Sequence, residues 1–345
     1  MKGALWQRAP LVLRHGVPAV AGLGILLLAS QGLSEYRNTQ LAMIAMYVCA
    51  VAGLTILTGL SGQISLGNGA FMFVGAYTVA LLLEHHATSS NALLALFLLA
   101  AVLVAAVAGA LVGVAAARLR GPYLAGITLA LAVGLPVLPK YSHLQGPLGG
   151  HAGISVNAPA PPNGMNYFRW QAWLCVIAAV ITLFLLANLT SSRVGRAFRA
   201  VRDDEIAASL AGLPVARVQI LAFVVSAGCA GLAGGLFGII SLTVLPDLFS
   251  LTLSLSLLAA AVFGGLGTLS GAVYGSIIVS LLPFWSSDLA RSLSLPDKVQ
   301  HNLPQGVYGV GLILGMLLFP LGIQGLVRRI GVLGRNTLRT KPAGN

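Results

Sequence analysis

Two runs of this chain lack charged side chains over lengths that only a double crossing of lipid explains. Residues 41–83 are 43 positions without Asp, Glu, Lys or Arg, and residues 248–287 are another 40. A helix needs about 20 apolar residues to cross the hydrocarbon layer, so each run holds two crossings. Residues 85–117, 170–192, 218–246 and 299–327 hold one each, 121–139 a short one, and the residues before Glu35 the first. Only 8% of the 345 residues are charged, against about 25% in soluble domains. Such a chain cannot cover a globular surface in water. The pattern predicts an all-α polytopic membrane protein, one transmembrane domain over residues 1–345. It has about ten transmembrane helices, near 17–33, 40–58, 69–84, 92–117, 122–139, 171–189, 218–241, 251–265, 268–284 and 305–326.

An even number of crossings puts both termini on one side, and the charges choose the side. With both termini cytoplasmic, fifteen of the twenty Lys and Arg residues fall inside. Asp203, Asp204 and Glu205 also fall inside, which leaves +12 inside and zero outside. Cytoplasmic loops carry this bias in membrane proteins generally. It explains the net charge of +12 without nucleic acid, and no basic stretch is interleaved with aromatics as stacking platforms require. The first apolar run lacks a small-x-small cleavage site and reads as a retained span, not a cleaved leader.

Several function classes fall away. No charge lies near the centre of a span; Glu84 sits at an end and Asp247 in a short outer turn. A charge at mid-membrane costs about 2.5–3.5 kcal/mol and is kept where it works, so a proton-driven carrier is disfavoured. The four lysines stand in "MKG", "PKY", "DKV" and "TKP", so none completes a phosphate-binding loop. Cys49, Cys175 and Cys229 are scattered through apolar runs, and the six histidines lack metal-site spacing. No catalytic triad or carboxylate pair appears. The residues describe a conduit, not an enzyme, with no metal and no cofactor of its own and its energy supplied from elsewhere.

Both double-length runs are interrupted by glycine-rich strings, "GLSGQISLGNGA" from residue 59 and "FGGLGTLSGA" from residue 263, both toward the cytoplasmic side. Backbone that leaves helical geometry at membrane depth survives only where protein or a water-filled cavity satisfies it. Residues 59–71 are therefore either a broken helix beside a solute path or a simple reversal near the headgroups. On the first reading Ser61, Gln63, Ser65 and Asn68 are candidate path residues, with Tyr77 and Ser270 as weaker ones.

Residues 192–217, "SRVGRAFRAVRDDEIAASLAGLPVAR", hold the inner charges. Arg193, Arg196, Arg199 and Arg202 recur every third residue, a drifting stripe on a helix. Asp203, Asp204 and Glu205 follow, then Gly212 as a helix stop and Pro214 beyond it. The segment is either a solvated loop or a surface helix that docks a soluble partner; its mixed signs favour a partner over lipid.

Four strings carry a family resemblance. "GRAFRAVRDDEIAASLAGLPVARVQILAFVVSAGCAGLAGGLFG" (195–238), "GLSGQISLGNGAFMFVGAYTVALL" (59–82), "GGHAGI" (149–154) and "FGGLGTLSGAVYGSIIV" (263–279) occur in the order found in branched-chain amino-acid ABC transporter permeases. The chain resembles their LivM-type subunit. The resemblance implies a bacterial inner-membrane permease with an inverted repeat and an outer loop over 140–169. It implies pairing with a second, similar permease subunit, and an extracytoplasmic solute-binding protein. Two ATP-binding subunits would dock on the cytoplasmic coupling segment, 192–217, and hold the ATP and Mg. Gly195, Arg196, Arg199, Arg202, Asp203, Asp204, Glu205 and Gly212 are the positions that match the coupling region. The implied cargo is branched-chain or related amino acids, with urea or amides as other cargo of such permeases. Asn68 stands where many relatives have histidine, and the outer "APAPPNGMNYF" (158–168) is its own. The alternative is a stand-alone secondary carrier or channel for a small polar solute, which leaves residues 192–217 without a task.

Overall fold

The computed structural model describes residues 11–86, 90–118, 122–292, 306, 309–310 and 322–325. The charge-free runs become long helices. α1 is Leu11–Gln31 and α2 is Glu35–Leu54, which continues through a π-helical turn, Thr55–Leu60. After a non-helical stretch, α3 is Asn68–His85 and α4 is Asn91–Ala116. α5 is Pro122–Gly134, tightening into a 3-10 turn, Leu135–Lys140. Pro136 and Pro139 offer no N–H to continue an α-helix there. The short α6 (Gln145–Leu148) and strand β1 (Ile154–Ser155) lead to α7, Tyr167–Ser191. Then come α8 (Arg193–Asp203), α9 (Glu205–Leu210) and α10 (Val215–Ser241). Strand β2 (Thr243–Val244), α11 (Leu251–Gly264) and α12 (Leu269–Ser292) follow.

Among the described residues, five stretches are long and apolar enough to cross a membrane: Glu35–Leu60, Asn91–Ala116, Tyr123–Lys140, Tyr167–Ser191 and Val215–Ser241. Ala19–Leu28, Leu251–Gly264 and Leu269–Trp285 are shorter apolar helices. Nine of the ten expected spans coincide with helical segments. The tenth, near 305–326, lies almost wholly outside the described residues, as do the basic residues that follow it.

Burial sorts the helices into an inner and an outer set. The α2 span is 72% buried and α10 is 61% buried, against 28% for α4 and 33% for α7. In the middle, α10 packs along α4, α3 and α2, while α2 also packs on α7. Small residues allow this closeness, as in other membrane bundles. A Cβ on Gly75 of α3 would lie 2.5 Å from Gly231 Cα of α10. The consequence is topological: α2 and α3 are consecutive yet barely touch, because α10 stands between them.

The helix ends gather into two groups. At one end Asn166 Nδ2 donates to Glu35 Oε1, Arg169 Nη2 to the Gln31 carbonyl, and Lys140 Nζ to Asp247 Oδ1. There β1 pairs antiparallel with β2, Ile154 opposite Val244. The glycines of "GGHAGI" make this seating possible: Gly153 has φ +72°, and a Cβ on it would overlap the Val244 carbonyl. Residues 140–169 are thus stapled to the chain beyond α10. At the other end lie the π-helical turn, α8, α9 and the glycine-rich link between α11 and α12.

Candidate functional site

The sequence of α8 makes an amphipathic helix with a firm start. Ser192 Oγ accepts from Val194 N at 3.1 Å and caps it. Gly195, Phe198 and Val201, each three residues from the next, form the buried face. Gly195 presses on the end of α7, where a Cβ would lie 2.6 Å from Thr190 Cα. Arg193, Arg196, Arg199 and Arg202 are all exposed, so the three-residue recurrence does make an outward stripe. Arg199 Nη2 donates to the Thr190 carbonyl at 3.0 Å.

The acidic cluster divides its work. Asp203 pairs with Arg202 at 2.8 Å, both side chains well exposed, so the pair adds little stability. Asp204 Oδ1 accepts from Ile206 N at 2.8 Å and Ala207 N at 3.0 Å. That N-cap is worth about 1 kcal/mol to the short α9. Glu205 Oε1 accepts from Gln219 Nε2 at 2.8 Å and ties α9 to α10. Gly212 adopts φ +84°, and Leu213 N donates to the Ala208 carbonyl at 3.0 Å. This closes α9 in the manner expected of a glycine helix stop. Gly195, Asp204, Glu205 and Gly212 therefore shape the segment, Arg193 and Arg196 face out from it, and Arg202 reaches inward. Two residues that the sequence reading passed over share the outer surface. Ile206 is 70% exposed and Leu210 84% exposed, one helical turn apart. The i, i+4 apolar pair in "EIAASL" was the signal for them.

The opening of the helix at residues 61–67 buries Ser61, Gln63, Ser65 and Gly67, while Gly62 and Ile64 between them are exposed. It is not a reversal between neighbouring helices. Each backbone N–H released from the helix needs a partner, and side chains from distant helices supply several. Leu66 N donates to Thr128 Oγ1 of α5 at 3.1 Å, and Gly69 N to Ser254 Oγ of α11 at 3.0 Å. Ser65 Oγ accepts from Gly67 N at 3.2 Å. The Gly59 carbonyl accepts from Arg202 Nη1 of α8 at 2.9 Å. Protein groups thus satisfy non-helical backbone inside the bundle.

Ser61, Gln63, Ser65 and Asn68 are all buried in this crossing, at 7% exposure or less. Asn68 Oδ1 accepts from Ser226 Oγ of α10 at 3.3 Å. Among the described residues, Ser61 Oγ, Gln63 Oε1 and Asn68 Nδ2 are buried without a hydrogen-bond partner. An unsatisfied buried polar group costs about 1–3 kcal/mol, so three within eight residues concentrate a cost to stability in this crossing. Thr128, Ser226 and Ser254 join this polar lining, and the sequence reading did not select them. A single hydroxyl on a membrane helix usually bonds its own backbone, so no local signal separated these.

The two weaker candidates lie elsewhere. Tyr77 is nine residues beyond Asn68, about 13 Å along α3 and on its opposite face. It packs on Phe73 at 4.3 Å between ring centroids, beside Phe249, and its buried hydroxyl has no hydrogen-bond partner among the described residues. Ser270 is exposed at the start of α12, on the rim of a cavity of about 230 Å³ with Phe184 and Val273. A larger groove of about 690 Å³ runs between α4, α7 and α10. It is lined by Leu, Val, Ile and Ala with Thr182 and Cys229, and contains none of the path candidates. It has no polar group suited to orient an amino acid.

A helical bundle with a polar break in its interior, and an amphipathic helix laid on the break from outside, defines a class. It is a multi-pass membrane protein. The chain belongs to the family described as branched-chain amino acid transport system / permease component, whose model matches residues 37–321. It is 33% identical over 248 residues to the high-affinity branched-chain amino acid transport system permease protein LivM of Salmonella typhimurium, covering 65% of this chain and 57% of that relative. The LivM protein of Escherichia coli is 33% identical over 242 residues, 64% of this chain and 56% of the relative. This chain thus spans just over half the length of the LivM relatives it matches. LivH of Salmonella typhimurium is 28% identical over 295 residues, 81% of this chain and 91% of the relative. These relatives are named as transport permeases, not enzymes. No solved structure matches the chain.

Proposed function

We propose that the chain is the membrane-permease subunit of an ATP-driven importer that carries branched-chain or closely related amino acids across a bacterial inner membrane. It spans the membrane ten times with both termini cytoplasmic, in two halves of opposite orientation. A second, similar permease subunit completes the path, and an extracytoplasmic binding protein delivers the solute. Two ATP-binding subunits hold ATP and Mg and dock on α8 and α9. Ser61, Gln63, Ser65 and Asn68, with Ser226, Ser254 and Thr128, line the inner part of the path. The observation that carries this reading is the seating of the outward arginine helix on the buried polar break.

Docking uses Arg193 and Arg196, whose side chains make no hydrogen bond or ion pair among the described residues, and the exposed Ile206 and Leu210. Exposed apolar side chains rimmed by charge suit a protein partner. The test is gentle purification of the tagged chain from its native host, with companions identified by mass. A nucleotide-binding subunit is recovered in constant ratio, and is lost from the Ile206→Ser, Leu210→Ser double variant. Recovery of the chain alone, still moving leucine in vesicles without ATP, sinks the reading and leaves a stand-alone carrier.

A further inference from the structure

The end of the π-helical turn is gripped from two sides. On one side Gly59 lies against the link between α11 and α12, where a Cβ on Gly59 would sit 2.7 Å from Gly267 Cα. On the other side Arg202 Nη1 donates to the Gly59 carbonyl at 2.9 Å. The stem of the same arginine covers Gly62, where a Cβ would lie 2.8 Å from Arg202 Cγ and φ is +74°. Nε and Nη2 of Arg202 both donate to Asp203 Oδ1, at 3.0 and 2.8 Å. The planar fork is therefore oriented from behind while it holds a backbone atom in front.

We propose that Arg202 is the positioning residue through which α8 moves both glycine breaks as one joint. The proposal rests on the reading of α8 and α9 as the seat of an ATP-hydrolysing partner, and it names which arginine carries the displacement inward. Among the described residues, the other side-chain ties from this face lead elsewhere: Arg199 to the Thr190 carbonyl at the end of α7, and Glu205 to Gln219 of α10. Phe198 and Val201 pack against the bundle without directional bonds. At the joint itself backbone meets backbone, so no rotamer change can absorb a shift of α8. Displacement of Arg202 pulls the Gly59 carbonyl, and Gly59 carries Gly267 with it. The polar lining that begins at Ser61, two residues on, moves in consequence.

The test has two arms. In the purified full chain, amide hydrogen exchange is followed over residues 57–70 in the natural protein and in Arg202→Gln. Loss of a charge-assisted bond to the Gly59 carbonyl should raise exchange there about tenfold, with α4 and α10 unchanged. Unchanged exchange over 57–70 overturns the proposal, and this arm needs no partner. In the assembled transporter in proteoliposomes, with radiolabelled leucine as the probe, Arg202→Gln should lower uptake about tenfold and raise the ATP hydrolysed per leucine moved. Arg202→Lys, whose ammonium can reach the same carbonyl, should restore part of the uptake. If uptake and ATP hydrolysis instead fall together as the ATPase dissociates, Arg202 belongs to the docking face and the proposal is wrong. Failure of the docking reading looks different: the natural chain then recovers no ATPase, while the exchange arm still decides the role of Arg202.

Discussion

Replacing Asn68 by leucine separates stability from function at the polar break. The Asn68 side chain is 1% exposed, its Nδ2 has no partner, and its Oδ1 accepts one bond from Ser226 Oγ at 3.3 Å. That bond is long for a hydroxyl donor, whose usual range is about 2.5–3.0 Å. Leucine keeps the same branching with no polar atom to bury, though its two methyl groups are bulkier than the amide and offset part of the gain. It removes an unsatisfied group costing about 1–3 kcal/mol and gives up one weak neutral bond of about 1 kcal/mol or less. Ser226 can turn to its own helix, as Ser276 does toward the Ala272 carbonyl at 2.7 Å. The net change favours the variant by about 1 kcal/mol, a rise of about 2–4 °C in melting temperature by the scale of mid-sized domains. Leucine uptake by the assembled transporter in proteoliposomes should fall about tenfold or more, the worth of about 1.4 kcal/mol at a contact made with a passing solute. Thermal melting of the purified chain and initial uptake rates measure both. A variant that melts lower refutes the claim that the amide is an unpaid burden. A variant that melts higher and transports normally refutes its place on the path.

Gly59→Ala forces backbone apart at Gly267 and should cost about 1–3 kcal/mol, read as a lower melting temperature of the purified chain; an unchanged melt would mean the two breaks are not in contact. Gly212→Ala places a side chain at φ +84°, which should cost about 1–2 kcal/mol. Because α9 is short, the effect should appear as faster limited proteolysis within residues 205–214, with the rest of the bundle intact. Lys140→Gln breaks the pair with Asp247, whose side chains are 25% and 72% exposed. Its melt should change by no more than about 1 kcal/mol, and a larger loss would show that the outer staple depends on charge more than on β1–β2 pairing.

Much of this arrangement was legible in the residues. The charge-free runs gave helices at nine of ten expected places, because lipid-crossing helices announce themselves by composition alone. Arginines every third residue made an exposed stripe, and its drift of about 60° per step brings Arg202, nine residues beyond Arg193, round to the side where it meets Gly59. Gly212 ended α9 as the pattern "LAGLP" demanded. The double runs also revealed that both were broken at one end, and Gly59 does meet Gly267. Ile206 and Leu210 were hidden in an alanine-rich string, where exposure depends on how α9 lies and not on its composition. Tyr77 and Ser270 were chosen as polar residues near a break, and nearness in sequence did not bring either to the polar lining.

The break itself could not be read locally, and its hydrogen bonds give the reason. Residues 61–67 leave the helix and, with the helix ends on either side, release backbone groups where water is scarce. Their partners come from Thr128, 62 residues away, Arg202, 143 away from Gly59, and Ser254, 185 away. The one satisfied atom of Asn68 is met by Ser226, 158 residues on. A window of any ordinary length sees only that the helix must open, and glycine with small polar residues says as much. Where the chain goes next is decided by α10, which wedges between α2 and α3 and forces the buried crossing. The same wedge brings the crossing under α8. An arginine helix seated on broken backbone is therefore a product of packing between segments far apart in sequence. A change at Ser254 or Thr128 should for that reason disturb the break as much as a change within it, although neither lies in a glycine-rich string.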